Sequence, residues 1–353
     1  MYKSLHVARG IASLLVVLFH ATGTITLEKY FGESANFLNS AFFPGQPRQA
    51  FFFVLSGYLI DHVHSKVLGQ PTRLKRFIGR RITRIYPLYW IVFLCVYLTA
   101  AILLPEISIA LPPVELVKSR LLTPVEPGLM WATGAPVLIV AWTLQYEMLF
   151  YSAYALCIYK KQMQFGILIV WLSLVLLRVL GYDLGYLVEF ATSQWTILFL
   201  IGVLFSRFRI QIKKIFKRVA LHILMGVSFL ATLVYHNIYS NSPILDIHVA
   251  YGLCSGLIIL SLIEFEERAG TLSPPPILLL LGSASYSLYL IHFPLLSLLN
   301  KLFSPYFPKT PLGVMTAFIL MVVMCCAVAI FLYRLVEAPM RKHMSARLAT
   351  VVG

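Results

Sequence analysis

Hydrophobic residues occur along this chain in long runs that are separated by shorter polar stretches. Ten of these runs are long enough to cross the hydrocarbon core of a membrane as helices, since such a crossing takes about 20 apolar residues. Their approximate bounds are 5–22, 41–63, 85–104, 136–158, 164–180, 190–206, 219–236, 246–263, 277–299 and 312–336. The pattern predicts an all-α fold, a bundle of about ten transmembrane helices.

Composition agrees with a lipid environment. The 353 residues are 59% hydrophobic and only 12% charged, with a mean hydropathy of +0.82. Soluble domains carry about 25% charged residues. No soluble core of this length could bury so much apolar surface, so membrane lipid must surround most of the chain.

The basic residues indicate an orientation. Cytoplasmic loops of membrane proteins are enriched in Lys and Arg. With the N-terminus in the cytoplasm, strict alternation of the ten runs places 22 of the 29 basic residues on the inner side. This split predicts that both termini are cytoplasmic. It also accounts for the formal net charge of +15 without nucleic acid, which we do not expect as a partner.

The polar stretches contain no separate domain. The longest, 105–135, is rich in proline, and we interpret it as an ordered or re-entrant outer loop. We predict a transmembrane domain over 1–345 and a short cytoplasmic tail over 346–353. All five cysteines fall in apolar runs, and no zinc-binding spacing is present, so no metal is expected.

Arg9 and His20 are ionisable residues within the first apolar run. They are 11 residues apart, close to three helical turns, so both side chains share one face. Along the axis they lie roughly 16 Å apart. One interpretation is a snorkelling arginine and a hydrogen-bonded core histidine; the other is a functional pair, with Arg9 near the cytoplasm and His20 in the outer half.

A basic stripe precedes the third run. Arg76, Arg80 and Arg84 follow one another at intervals of four residues, and Arg81 lies three before Arg84. Like charges at these spacings repel on a helix, so an anion would relieve them. Either the phosphates of a nucleotide or anionic lipid headgroups would fit.

Two further ionisable residues lie within apolar runs. Glu147 is near the centre of the fourth run, where a carboxylate must be protonated, paired or hydrated; it is either a structural clamp or a partner of His20 or an arginine. His292, which follows Tyr286 in SYSLYLIHFP, is predicted near the outer face, on the same side as His20. An interfacial histidine beside an aromatic belt is the alternative.

These segments together resemble the acyltransferase-3 family of integral membrane acyltransferases. The resemblance rests on six stretches in the family's order: Arg9 with His20; FFFVLSGYLI with Ser56, Gly57 and Tyr58; RRITRIYP with Arg81, Arg84 and Pro87; Trp142, Thr143, Leu144 and Glu147; SYSLYLIHFP; and Glu337, Pro339 and Arg341. One departure is His6, where many members carry an aspartate, so any role of that acid is in doubt here.

The resemblance implies a multi-pass enzyme of the bacterial cytoplasmic (inner) membrane. Its donor would be an acyl-CoA, usually acetyl-CoA, taken from the cytoplasm. Its acceptor would be a hydroxyl of an extracytoplasmic glycan or a lipid-linked sugar, as in the short exopolysaccharide-modifying members. The sequence leaves open the acceptor sugar, the acyl length and whether the protein forms a homo-oligomer.

The residues and the resemblance together suggest roles for each candidate. Catalytic roles fall to His20, as general base or acyl acceptor, and to Glu147, which would orient it. The remaining assignments are Arg80, Arg81 and Arg84 for the donor phosphates, Arg9 for steering the donor arm, Ser56 and Tyr58 for the thioester, and His292, Tyr286 and Trp142 for the acceptor. A glycan or lipid transporter with the same intramembrane residues, or a scaffold subunit of a polysaccharide synthase, is the alternative function.

Overall fold

A computed structural model describes residues 2–38, 46–103, 112–126, 135, 137–215, 218–239, 247–270 and 273–352. Within these ranges the chain is helical and contains no strand, in agreement with the predicted fold class. The helices are α1 (Lys3–Ile25), α2 (Gln46–His64), α3 (Leu74–Leu103), α4 (Pro113–Arg120), α5 (Trp142–Tyr159), α6 (Met163–Val179), α7 (Tyr186–Ala191), α8 (Gln194–Arg207), α9 (Arg209–Ile215), α10 (Arg218–Tyr239), α11 (Ile247–Ala269), α12 (Pro276–Ser283), α13 (Ser285–Phe303), α14 (Pro311–Leu332) and α15 (Ala338–Val352).

Each of the ten predicted runs overlaps at least one of these helices. By length and composition alone, five stretches among the described residues could cross a membrane, or up to seven if two bent helix pairs each count as one span. The other three predicted runs correspond to α2, α5 and α6. Helix α6 is apolar but has only 17 residues, and α2 and α5 carry polar residues within their apolar sequence. Residues 41–45, 104, 136 and 246 of the predicted runs lie outside the described residues.

The run predicted as one helix over 277–299 consists of two. Helices α12 and α13 meet at an angle of 72°, with Ala284 between them. Hydropathy did not reveal the bend because both helices are apolar. A second irregularity is the π-helical turn Tyr333–Glu337, which joins α14 to α15. Helix α15 continues through residue 345, so the predicted tail over 346–353 begins within a helix.

The chain divides into two compact units. The first comprises Met1–Ala12, Gln46–Leu74 and Leu149–Leu279, and the second comprises Ser13–Gly45, Lys75–Met148 and Leu280–Gly353. Helix α1 is uninterrupted, yet it contributes Arg9 to the first unit and His20 to the second.

Three parallel helices, α2, α8 and α11, form the centre of the first unit. The ring of Phe53 lies 5.6 Å from that of Trp195, and two turns later the Asp61 carboxylate accepts a 3.1 Å hydrogen bond from Arg207. This order shows that α2 and α8 run in the same direction. Helix α11 runs in the same direction. Its contacts with α8, at His248 near the start of α11 and at Gly256 further along, occur in the same order on both helices.

Glycines allow this close packing. A Cβ atom at Gly57 would collide with the backbone carbonyl of Phe199, and one at Gly202 would collide with that of Val54. Small residues at helix contacts allow backbones to approach in membranes. Gly57, from the segment FFFVLSGYLI, therefore lies at a close contact between two helices.

The opposite end of α11 holds the start of α1. The Glu266 carboxylate accepts hydrogen bonds from the backbone N–H groups of Lys3 and Ser4, at 2.9 and 2.8 Å. These are N–H groups that a helix N-terminus otherwise leaves unpaired, and a carboxylate also suits the positive end of the helix dipole. Glu267 pairs with Arg209 and Lys213. The acidic residues here thus serve to fix helix ends.

In the second unit, α13 is the central helix. It packs antiparallel to α14: Ser287 near its start donates a 2.6 Å hydrogen bond to Glu337, whereas the carbonyl of His292 lies 4.0 Å from Sγ of Cys325. It is parallel to α1, because His20 and Thr24 lie beside His292 and Asn300, respectively.

The described part of the loop over 105–135 returns toward the middle of α3. Three carbonyls at and after the end of α4 accept hydrogen bonds from side chains of α3: Ser119 from Tyr89 at 2.6 Å, Arg120 from Trp90 at 2.9 Å and Leu121 from Tyr86 at 2.8 Å. These donors lie 12–16 residues into the 30-residue helix, roughly 18–24 Å from its start. These three hydrogen bonds fix the end of α4 against α3.

Candidate functional site

The two histidines predicted on the same side of the membrane lie next to each other in the second unit. The ring centroids of His20 and His292 are 5.1 Å apart and the rings are inclined by 42°. The rings of Phe19 and Phe293 meet the His20 ring edge to face, at 5.1 and 5.4 Å. His20 is therefore an imidazole held between aromatic rings and a second imidazole.

A polar clamp joins the same two helices beyond this pair. The Asn300 side chain is fully buried, and its amide donates a 3.1 Å hydrogen bond to the hydroxyl of Thr24. Thr24 lies four residues after His20, and Asn300 lies eight after His292, so the clamp is on the same faces as the histidines. It stabilises α1 against α13 at the position where the imidazoles meet.

Two tyrosines of α13 connect it to its other neighbours in this unit. Tyr286 donates a 2.8 Å hydrogen bond to the carbonyl of Ile85 on α3. Tyr289 donates one of 2.6 Å to the carbonyl of Val140, just before α5, and its oxygen lies 2.6 Å from the hydroxyl of Thr143. The Thr143 hydroxyl also lies 3.4 Å from the carbonyl of Val140, so the two hydroxyls and this carbonyl form one hydrogen-bonded group. Spacings of three residues place both tyrosines and His292 along one side of α13.

Charged groups surround Tyr286. Glu147, Glu337 and Arg84 all lie close enough to its hydroxyl to act on it electrostatically. Glu147 is one turn after Thr143 on α5 and retains part of its surface exposed, as does Arg84. The second unit thus brings together five of the predicted site residues: His20, His292, Tyr286, Glu147 and Arg84.

The other arginines of the basic stripe differ in their surroundings. Arg81 is half-buried, with its guanidinium 5.5 Å from the centroid of Phe77, whereas Arg76 and Arg80 are exposed. Trp142, at the start of α5, packs edge to face on Tyr146 at 6.0 Å. These residues belong to the second unit as well.

The remaining predicted residues, Arg9, Ser56 and Tyr58, belong to the first unit. Tyr58 is fully buried and its ring stacks on His62 at 5.6 Å. His6 is at the position where many family members have an aspartate. Its Nε2 atom lies 3.1 Å from the carbonyl oxygen of Leu279. A carbonyl can only accept, so this histidine is a hydrogen-bond donor and not an anionic partner for Arg9.

Sequence reasoning missed three residues that organise the site. Tyr289, Thr143 and Asn300 all make the contacts described above, but none was assigned a role. A role for Asn300 could have been predicted from the sequence. Its polar amide lies two turns after His292, directly after an apolar run, and such a group in a membrane needs a hydrogen-bond partner. Among the described residues, no group of three or more His, Cys, Asp or Glu side chains is placed to bind a metal ion.

Comparison with known proteins gives one result. A family model described as an acyltransferase domain matches residues 2–334, which include parts of both units and all five of the residues that the second unit brings together. No curated protein and no solved structure matches the chain. The match ends within the π-helical turn that contains Glu337.

Proposed function

We propose a function for this chain from one premise: it belongs to the acyltransferase-3 family. It is a membrane acyltransferase with several apolar helices. The function we infer is transfer of an acyl group, with acetyl as the proposed group, from cytoplasmic acyl-CoA to a hydroxyl of an extracytoplasmic or lipid-linked glycan. We propose that the protein is located in the cytoplasmic membrane of a bacterium.

One observation carries the proposal. Three ionisable residues of apolar runs, His20, His292 and Glu147, belong to a single unit together with Arg84. His20 lies against His292, and Glu147 and Arg84 act electrostatically on Tyr286 of the same helix. Each such residue costs about 2.5–3.5 kcal/mol on insertion scales when it stands in a span. Their convergence on a few neighbouring helices is what a polar reaction site inside the membrane requires.

The reaction assigns the residues as follows. Arg81 and Arg84, with Arg80, would bind the phosphates of CoA from the cytoplasmic side, because guanidinium groups bind phosphate in a bidentate manner. Arg9 would steer the donor arm, and Ser56 and Tyr58 would contact the thioester. His20 would act on the acyl group or the acceptor hydroxyl, Glu147 would support it, and Tyr286, His292 and Trp142 would lie on the acceptor side.

The relative directions of neighbouring helices support the alternation of spans in the proposed ten-span topology, whereas the cytoplasmic location of both termini rests on the distribution of Lys and Arg. Under that topology the second, sixth and eighth spans run inward. Their helices α2, α8 and α11 are indeed parallel within the first unit. The ninth and tenth spans should be antiparallel, as α13 and α14 are in the second unit.

The direct test is thioester cleavage. Purified protein in nanodiscs, supplied with acetyl-CoA and with alkali-treated surface polysaccharide from the producing cell, should release CoA thiol and form O-acetyl esters. Arg9→Ala should slow this release, and the exposed His343→Ala should not. Movement of a lipid-linked glycan across the membrane without thiol release would instead favour the transporter.

A further inference from the structure

We propose that His292 positions the His20 imidazole by accepting a hydrogen bond from it at Nε2, an assignment that rests on the proposed function. His20 remains the residue that acts on the acyl group or the acceptor hydroxyl. His292 would thus move from the acceptor side of the site to a positioning role, one that we had given to Glu147.

The tautomer of His292 follows from its contacts. Its Nδ1 lies 3.1 Å from the carbonyl oxygen of Leu288. A carbonyl only accepts, so Nδ1 carries the hydrogen and donates it. In a neutral imidazole the other nitrogen, Nε2, is then an acceptor with a free lone pair.

Nε2 of His292 lacks a hydrogen-bond partner among the residues that the structure describes. The His292 side chain is fully buried, and a buried acceptor without a donor is costly and uncommon. The neighbouring hydroxyl of Tyr289 does not fill this place, since its hydrogen goes to Val140. Cys325, from α14, is close to the backbone carbonyl of His292.

His20 is at the distance that such a donor requires. Two imidazoles joined in line by an N–H···N hydrogen bond of about 2.9 Å have centroids roughly 5 Å apart, and the observed separation is 5.1 Å. The 42° inclination of the rings is far from parallel stacking. The separation of the two rings therefore allows the bond when a nitrogen of His20 faces Nε2 of His292.

The bond would determine which nitrogen of His20 is reactive. With one ring nitrogen donating to His292, the other is the unprotonated nitrogen that meets the substrate. When that nitrogen takes the proton of the acceptor hydroxyl, the hydroxyl oxygen bonds to the acyl carbon and the carbon–sulfur bond breaks. The proton then passes to the departing CoA sulfur, and His292 retains its hydrogen bond throughout. A partner that fixes tautomer and orientation in this way has precedent in catalytic triads.

Two substitutions of His292 separate positioning from packing. His292→Asn keeps an amide N–H near Nδ1 for the bond to Leu288 but removes the acceptor. His292→Gln places an amide oxygen near Nε2, where it can still accept from His20. We expect about a 10-fold lower kcat for the Asn variant, the effect of one lost hydrogen bond, an unchanged KM for acetyl-CoA, and partial recovery in the Gln variant. Equal activity of the Asn variant and the unmodified protein would overturn the proposal, as would equal losses in both variants.

Solid-state NMR of protein with ring-15N histidine tests the bond without any assay of activity. The expected result is a correlation between a protonated ring nitrogen of His20 and an unprotonated one of His292, assigned by its absence in His292→Asn and in His20→Ala. A protonated Nε2 in His292 would overturn the proposal. Protein that gives the correlation but releases no thiol from acetyl-CoA would reject the proposed function and retain the hydrogen bond.

Discussion

At the scale of single residues, the site consists of a few polar side chains whose partners lie on other apolar helices. Tyr286, Tyr289 and Asn300 all donate hydrogen bonds across helices, which fixes α13 beside α1, α3 and the start of α5. The ionisable residues His20 and His292 are placed by this scaffold. Ionisable residues inside membranes usually mark functional sites.

Arg81 and Arg84 carry a prediction at this scale. Replacing both with alanine should weaken acetyl-CoA binding at least about tenfold, since hydrogen bonds to charged groups contribute about 1.5–3 kcal/mol each. Isothermal titration calorimetry in nanodiscs would measure the change. The exposed Arg76→Ala on the same helix is the matched control and should bind normally. Unchanged affinity in the double variant would make the stripe a lipid anchor.

At the scale of helices, the first unit depends on close backbone contact between α2 and α8. The sequence pattern did not predict that these two helices are neighbours. Hydropathy identifies a helix that can lie in the membrane, but it does not identify the helix against which it packs. That Phe199 lies opposite Gly57 is known only from the three-dimensional packing.

Gly57→Ala should destabilise the protein. A Cβ there meets the carbonyl of Phe199, and overpacking of this kind costs about 1–3 kcal/mol. Thermal unfolding in detergent, followed by the reactivity of buried cysteines, should show a lower Tm. The control is Gly226→Ala on α10, where a Cβ meets nothing within 4 Å and helix propensity favours alanine by up to about 1 kcal/mol. Equal Tm values in the two variants would contradict the close contact.

At the scale of the whole molecule, the sequence alone predicted an all-α membrane protein and its family, and the structure and the family match confirm both; the ten spans and the cytoplasmic termini stay predictions. It also placed His20 and His292 on one side of the membrane, because helix direction follows from counting apolar runs. The bend before α13, the π-helical turn and the clamp of Thr24 with Asn300 were not predictable. Each depends on packing between segments far apart in sequence, which a single-sequence pattern does not contain.

The topology itself yields a prediction. In a variant without the five native cysteines, Lys29→Cys should react with a membrane-impermeant maleimide added to intact spheroplasts. Lys161→Cys should react only after permeabilisation. Both lysines are exposed, so accessibility from each side decides the result. The reverse pattern, or labelling of both from outside, would contradict cytoplasmic termini with ten spans.

The central claim is that His20 carries out acyl transfer to an extracytoplasmic glycan. NMR of surface glycans from cells that express the unmodified protein, the His20→Ala variant or the His343→Ala control tests it most directly. We predict O-acyl signals with the first and third proteins and their loss with His20→Ala, at equal protein levels in the membrane, since a positioned acid–base residue contributes about 10²–10⁴-fold to rate. Undiminished O-acyl signals with His20→Ala would contradict the claim.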